Sequence, residues 1–283
     1  MKVKCIALDL DRTTLNSQGG LSSRNKRAIQ AAIDRAIHVV VASGRPAEAL
    51  PAEITEIPGI RYAVVSNGAS VWDLRKKERI QEYKLAPESV EQLLAVSAKA
   101  ASDWGIEVAY EIPVNGAAYA QASYVQDPVR YGARAESIAY IQKTRRPVDD
   151  ILAFIQEHIR ELDCMNIVVG ERKKELWDKI LEEVEDIYVT TSVKQLLEIT
   201  HKDGGKASGM RFLLERLGIE AGQLLAFGDG DNDKELLKMA GLGIAVENAV
   251  PGCKEAADEI TLSNDDDGVA VVLEQLLDQS GTG

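Results

Sequence analysis

Short continuous apolar runs that stop abruptly in small polar or charged residues constrain this chain most. Residues 3–8 lead into Asp9, Asp11 and Thr13. Residues 38–42 lead into Ser43, Gly44 and Arg45, and residues 62–65 into Ser66, Asn67 and Gly68. Residues 224–227 lead into Gly228, Asp229, Gly230, Asp231, Asn232 and Asp233, and residues 242–246 into Glu247, Asn248 and Ala249. Unbroken runs of Val, Ile and Leu suit strands covered on both faces. Helical patterns lie between them. Ile29, Ile33 and Ile37 recur at four-residue spacing behind Ser22 or Ser23 as a cap, and Met210, Leu213, Leu214 and Leu217 form one stripe before Gly218. Residues 234–240 form another short helical pattern. Strand and helix in alternation specify an α/β fold with a largely parallel sheet. Ligands of such sheets bind beyond the carboxyl ends of the strands, which is where every polar tip falls.

The middle of the chain has another character. Residues 87–97 read as a helix, 105–110 as a strand, 148–162 as a helix, 164–169 as a strand, 177–184 as a helix and 187–191 as a strand. Polar strand tips are scarce there. The pattern predicts an α+β domain at 83–194 inserted into a core built from 1–82 and 195–283. A chain of 283 residues is long enough for two domains of ordinary size. Residues 113–146 have weak periodicity and carry Tyr119, Tyr124, Arg130, Tyr131 and Tyr140 without a readable element.

Charge bears on partners. The formal net charge of −12 argues against nucleic acid or an anionic membrane, both of which call for basic surface. Cys5, Cys164 and Cys253 form no paired spacing, which fits core residues in a reducing, cytoplasmic compartment. The opening residues lack the apolar length of a signal peptide, and no apolar run approaches the ~18 residues of a membrane span. Oligomeric state has no signature in the sequence.

The strand tips carry the candidate chemistry. Asp9 and Asp11, two residues apart at a strand end, can face one site, as nucleophile, proton carrier or ligands for a hard cation; two acids in a solvated loop have the same spacing. The acidic loop from Asp229 to Asp233 is not an EF-hand, because Lys234 and Ala240 stand where that loop needs Gly and Glu. It also lacks the third glycine of a dinucleotide fingerprint. It suits a Mg²⁺ ligand set at a sheet edge. Ser43 and Gly44 offer a hydroxyl and backbone N–H groups to an anion, or an ordinary turn with a capping serine. Lys206 opens a helix, where a positive charge opposes the helix dipole, and that conflict favours a functional role. His38, His158 and His201 show no metal or triad spacing, although His201 is close to Lys206 in sequence.

In order, Asp-x-Asp-x-Thr at 9–13, Ser-Gly-Arg at 43–45, Ser-Asn-Gly-Ala at 66–69, Lys206 at a helix start and Gly-Asp-x-x-Asn-Asp at 228–233 resemble the haloacid dehalogenase superfamily, and within it the Cof-type sugar-phosphate phosphatases. Residues 243–248 and 264–269 continue the resemblance. It implies a Rossmann-like parallel-sheet core with an inserted α+β cap that closes over the site and selects the leaving group. It implies Mg²⁺-dependent hydrolysis of a small phosphorylated metabolite through an aspartyl phosphate. By position, Asp9 is the nucleophile and Asp11 the acid and base. Thr13, Ser43, Gly44 and Lys206 hold the phosphoryl group. Asp9, Asp11 (through its carbonyl) and Asp229 bind the metal, while Arg45, Asn67, Asn232 and Asp233 support them.

Three positions depart from the family pattern. Arg12 replaces the usual glycine after the second aspartate, Thr14 the usual leucine, and Glu247 a common glycine. Arg12 leans toward one alternative, a phosphometabolite sensor without catalysis; the intact Asp9, Asp11, Lys206 and Asp229 lean away from it. The other alternative is a phosphosugar mutase, which uses related residues.

Overall fold

The structure is a computed structural model and describes residues 2–279. Its strands, in chain order, are β1 (Cys5–Leu8), β2 (His38–Ala42), β3 (Tyr62–Val65), β4 (Ser70–Asp73), β5 (Glu78–Glu82), β6 (Ala109–Val114), β7 (Ala117–Gln121), β8 (Arg146–Val148), β9 (Met165–Val168), β10 (Ile187–Thr190), β11 (Leu196–His201), β12 (Leu224–Gly228), β13 (Leu242–Val246) and β14 (Glu259–Thr261). The chain divides into two compact units. The first takes Met1–Arg45, Leu50–Gln81 and Gly205–Gly283, and the second takes Pro46–Ala49 and Glu82–Gly204.

The first unit is built on a sheet of order β14-β13-β12-β1-β2-β3-β4-β5. It is parallel from β14 to β3, and β4 runs antiparallel to β3. β1 is central because its residues Cys5, Ile6, Ala7 and Leu8 have no exposed surface and pack on both faces. Burying a Val, Leu or Ile side chain stabilises by roughly 1.5–3 kcal/mol, so these short strands hold the core despite their length. Leu8 pairs with Val41 on one side and Phe227 on the other, which brings the carboxyl ends of β2, β1 and β12 side by side.

Helices cover both faces. The helix Ser23–Asp34 starts where the Ser22 hydroxyl accepts the Asn25 N–H. Asn25 is itself buried; its side chain donates to the Thr14 carbonyl and accepts from the Ala270 N–H, tying the turn after β1 to the helix Gly268–Gln279. The helix Lys206–Leu217 buries Met210, Leu213 and Leu214 against Val40, Val64 and Ala226, and ends at Gly218 in the left-handed region.

The second unit has its own sheet, of order β10-β11-β9-β6-β7-β8. Its pairings are antiparallel except β7 with β8. The helices Pro87–Trp104, Ile151–Glu157 and Lys173–Glu183 close one apolar core with β6, β9 and β11.

Several sequence boundaries move. The second unit runs past 194 to Gly204, because β11 pairs with both β10 and β9 rather than opening the core. The strand expected at 105–110 begins at Ala109, and the helix expected at 148–162 ends at Glu157. The stretch 113–146 holds β7, the short helices Ala122–Gln126 and Ile138–Thr144, and the start of β8. Cys5, Cys164 and Cys253 are all buried and unpaired, and burial pushes the Cys5 thiol up to about 12. Among the described residues no helix is long and apolar enough to cross a membrane.

Candidate active site

Asp9 directly follows β1 and is 5% exposed. The chain then winds through Leu10–Thr14, broken by extended Asp11 and left-handed Arg12. The Thr14 hydroxyl donates to the Asp9 carbonyl at 2.6 Å, and Leu15 N–H closes back on Leu10 at 2.8 Å. This tight turn is what aims the Asp9 carboxylate beyond the strand end.

Lys206 meets it there. The helix Lys206–Leu217 starts with no side-chain cap, and the Lys206 side chain is fully enclosed. Its Nζ donates to Asp9 Oδ1 at 2.6 Å and to Asp233 Oδ1 at 2.7 Å. Burial opposes the ammonium charge, but the two carboxylates outweigh it and hold Lys206 protonated well above its ordinary range. The dipole conflict noted in the sequence is thus resolved by two buried carboxylates.

The loop after β12 supplies the rest. Asp233 Oδ2 accepts the N–H groups of Asp229 and Gly230, both at 3.0 Å, and so shapes the loop that carries Asp229. A Cβ on Gly228 would lie 2.4 Å from Asp233 Cβ, so only glycine fits beneath it. Oxygens of Asp9, Asp229 and Asp233 lie within 4.8 Å of one another. Desolvation raises Asp9 to about 7 against the pull of Lys206, and desolvation followed by the repulsion of Asp9 raises Asp229 to about 8. Asp9 Oδ2 is buried and makes no hydrogen bond. All-oxygen donors with an orphaned carboxylate oxygen and excess negative charge fit a hard divalent cation.

The Asp11 carboxylate lies outside this cluster. It is half exposed and accepts a two-point bond from Arg45, Nε to Oδ2 at 2.8 Å and Nη2 to Oδ1 at 2.6 Å. Thr13 is buried and donates a long 3.5 Å bond to Asp229 Oδ1. Ser43 is buried at the end of β2, where its Oγ accepts the Arg45 N–H at 3.1 Å, and Gly44 is the link between them.

Asn67 does more than sit nearby. Ser66, Asn67 and Gly68 all have positive φ (48°, 51° and 85°). Asn67 N–H donates to the Ser43 carbonyl at 3.2 Å, its carbonyl accepts Gly205 N–H at 2.7 Å, and its Oδ1 accepts Asn232 Nδ2 at 3.0 Å. This one residue ties the Ser43, Lys206 and Asp229 segments together. A Cβ on Gly68 would lie 2.0 Å from the Gly205 carbonyl, which explains the glycine.

Sequence reasoning missed Asn248 and Asn264 as working parts. Asn248 Nδ2 donates to the Arg12 carbonyl at 2.8 Å, and its Oδ1 accepts Asn264 N–H at 2.9 Å. Asn264 Nδ2 reaches the Leu15 carbonyl at 3.0 Å. The signal was the asparagine just past β13, at the same sheet edge as the other tips. His201, close to Lys206 in sequence, belongs to the second unit and stacks on Tyr83 with centroids 5.4 Å apart.

The family model for haloacid dehalogenase-like hydrolases matches residues 6–273. The chain is 30% identical to Phosphatase YwpJ of Bacillus subtilis (strain 168), over 97% of this chain and 100% of that one. It is 28% identical to the 5-amino-6-(5-phospho-D-ribitylamino)uracil phosphatase YwtE of the same organism, over 97% and 98% of the two chains. A haloacid dehalogenase-like hydrolase from Bacteroides thetaiotaomicron has the same fold, with a TM-score of 0.75 at 30% identity, covering 97% of this chain and all of that one.

Proposed function

Since the chain belongs to the haloacid dehalogenase-like hydrolases, we propose that it is a Mg²⁺-dependent phosphatase of small phosphorylated metabolites, working through a phosphorylated Asp9. The observation that carries this reading is the buried Asp9 carboxylate, held through Oδ1 by Lys206 and left without a bond at Oδ2. An enclosed aspartate in that state is a nucleophile aligned by its neighbours.

Asp9 attacks phosphorus and the bond to the leaving alcohol oxygen breaks. Asp11 gives that oxygen a proton, then takes one from the water that attacks the aspartyl phosphate, freeing phosphate and restoring Asp9. Both Asp11 oxygens accept from Arg45 in the structure, so proton transfer requires Asp11 to leave Arg45. Lys206, the Ser43 hydroxyl, Thr13 and the backbone at Gly44 bind phosphoryl oxygens. Asp9, Asp229 and the Asp11 carbonyl hold Mg²⁺, with Asp233 fixing the Asp229 loop and Asn232 supporting it. The ion supplies charge neutralisation for the phosphoryl oxygens.

Sugar and sugar-alcohol phosphates are the proposed substrate class, in keeping with the phosphoribitylamino substrate named for YwtE. Three buried, unpaired cysteines support a cytoplasmic setting. The test is phosphate release across a panel of phosphorylated sugars, polyols and nucleotides, with Mg²⁺ or with a chelator. Release should require Mg²⁺ and fall on the order of 10³-fold or more in Asp9→Asn. Binding without turnover across the panel would favour the sensor, and an isomeric sugar phosphate in place of free phosphate the mutase.

A further inference from the structure

Asp9 and Asp233 share Lys206, but Asp229 receives no bond from that lysine. Its counter-charge is Arg12, whose Nε lies 3.9 Å from Asp229 Oδ2. Arg12 occupies the left-handed region (φ 61°, ψ 10°), a conformation unusual for a long side chain, and Asn248 pins its carbonyl at 2.8 Å. The backbone therefore launches the guanidinium from a fixed base onto the acidic cluster. Among the described residues Asp229 is its one ion-pair partner. The Arg12 side chain is 43% exposed, so the head group has open solvent to move into, while the Asp229 side chain is 12% exposed.

We propose that Arg12 is a built-in counter-ion of Asp229 which a divalent cation must displace, so that Arg12 sets how tightly the site takes its metal. The inference rests on the metal-binding reading above. With the acids ionised, Asp9, Asp229 and Asp233 exceed Lys206 and Arg12 by one negative charge. A dication added beside a stationary guanidinium meets repulsion at short range and loses part of the attraction of Asp229. Moving Arg12 outward removes both penalties. A glycine at this position would give the backbone the same turn with no competing charge, so the side chain itself is the distinguishing element.

The test is calorimetric titration of Mg²⁺ alone into the wild type, Arg12→Gln, Arg12→Asn and Arg12→Lys, in phosphate-free buffer. Asparagine tolerates the left-handed region and guards against a folding defect in the glutamine variant. Both neutral variants should bind Mg²⁺ about three- to five-fold more tightly than the wild type, the size expected for a half-exposed ion pair. Arg12→Lys should stay close to the wild type. Equal or weaker Mg²⁺ binding by folded Arg12→Gln and Arg12→Asn overturns the inference and leaves the metal reading standing. Absence of Mg²⁺ binding in every variant and in the wild type overturns both.

Discussion

Asp9 in the first unit and Glu111 in the second are carboxylates buried to similar depth, at 5% and 2% exposure, and each faces a long cation, Lys206 fully enclosed and Arg145 largely so. Around Glu111 the bonding is complete. Arg145 donates through Nε and Nη2 at 3.0 and 3.1 Å, and Asn166 Nδ2 adds a third bond at 3.3 Å. Around Asp9 it is not, because Lys206 is shared with Asp233, Oδ2 is left unbonded, and Asp229 stands close by. A closed network of this kind fixes a packing arrangement, and an open one with surplus negative charge is prepared for a ligand. Depth of burial alone therefore does not separate these two carboxylates; an unbonded oxygen beside two further buried acids does.

Breaking the closed network should have the largest effect on stability. Glu111→Gln leaves Arg145 buried without its counter-charge and should lower unfolding free energy by about 3–5 kcal/mol, read by chemical denaturation. A loss below ~1 kcal/mol would mean that Arg145 finds other acceptors and the network is not closed. The open cluster should respond with the opposite sign. Asp229→Asn removes a carboxylate repelled by Asp9 and should stabilise the metal-free protein by on the order of 1–3 kcal/mol at neutral pH, while abolishing Mg²⁺-induced stabilisation. A destabilised Asp229→Asn would show that the cluster is held together by these charges rather than strained by them.

Fold and site were unequally legible in the sequence. β1, β2, β3, β12 and β13 announced themselves, since central parallel strands need apolar residues on both faces and so write unbroken runs. β5 (ERIQE), β8 (RPV) and β14 (EIT) lie at sheet edges with exposed residues and have no such pattern. β7 (AAYAQ) is built of small residues, and β11 (LLEITH) looks like a returning core strand. The meeting of Asp9, Lys206, Asp229 and Asp233 followed from the sheet edge. The turn of Asp11 toward Arg45, and of Arg12 toward Asp229, depends on competition between side chains that spacing does not encode.

The next measurement sharpens the comparison through pH. Asp9 and Asp229, raised from 3.8 to about 7 and about 8, keep their protons to higher pH when folded than when unfolded. Their burial therefore carries no electrostatic penalty below the unfolded value, and the penalty grows as pH rises and is complete above the folded values. Metal-free stability should fall between about pH 4 and 8 more steeply in the wild type than in Asp229→Asn. Mg²⁺ requires the ionised acids, so its binding should release protons and strengthen with rising pH, measured by titration in buffers of different ionisation enthalpy. Parallel pH profiles for wild type and variant would refute the shifts. The smallest effect belongs to Asn67→Ala, which removes the bond from Asn232 and places a less tolerant residue at φ 51°. It should cost about 1–2 kcal/mol and, through strain on the backbone that bonds the Ser43 carbonyl and the Gly205 N–H, lower turnover by more than the loss of stability alone explains.

Thr13 and Asp229 are neighbours separated by 216 positions in the chain. On a ribosome adding about 5–20 residues per second, roughly 10–40 s pass between them. During that interval β1 has β2 on one side and nothing on the other, because its partner β12 has not been made. The intervening unit, whose strands all lie within 109–201, is finished first. The nascent chain thus holds an apolar strand with an open edge for as long as the whole insert is being made. Shielding that edge until synthesis reaches Leu224 is the task the interrupted topology sets for the cell's folding machinery.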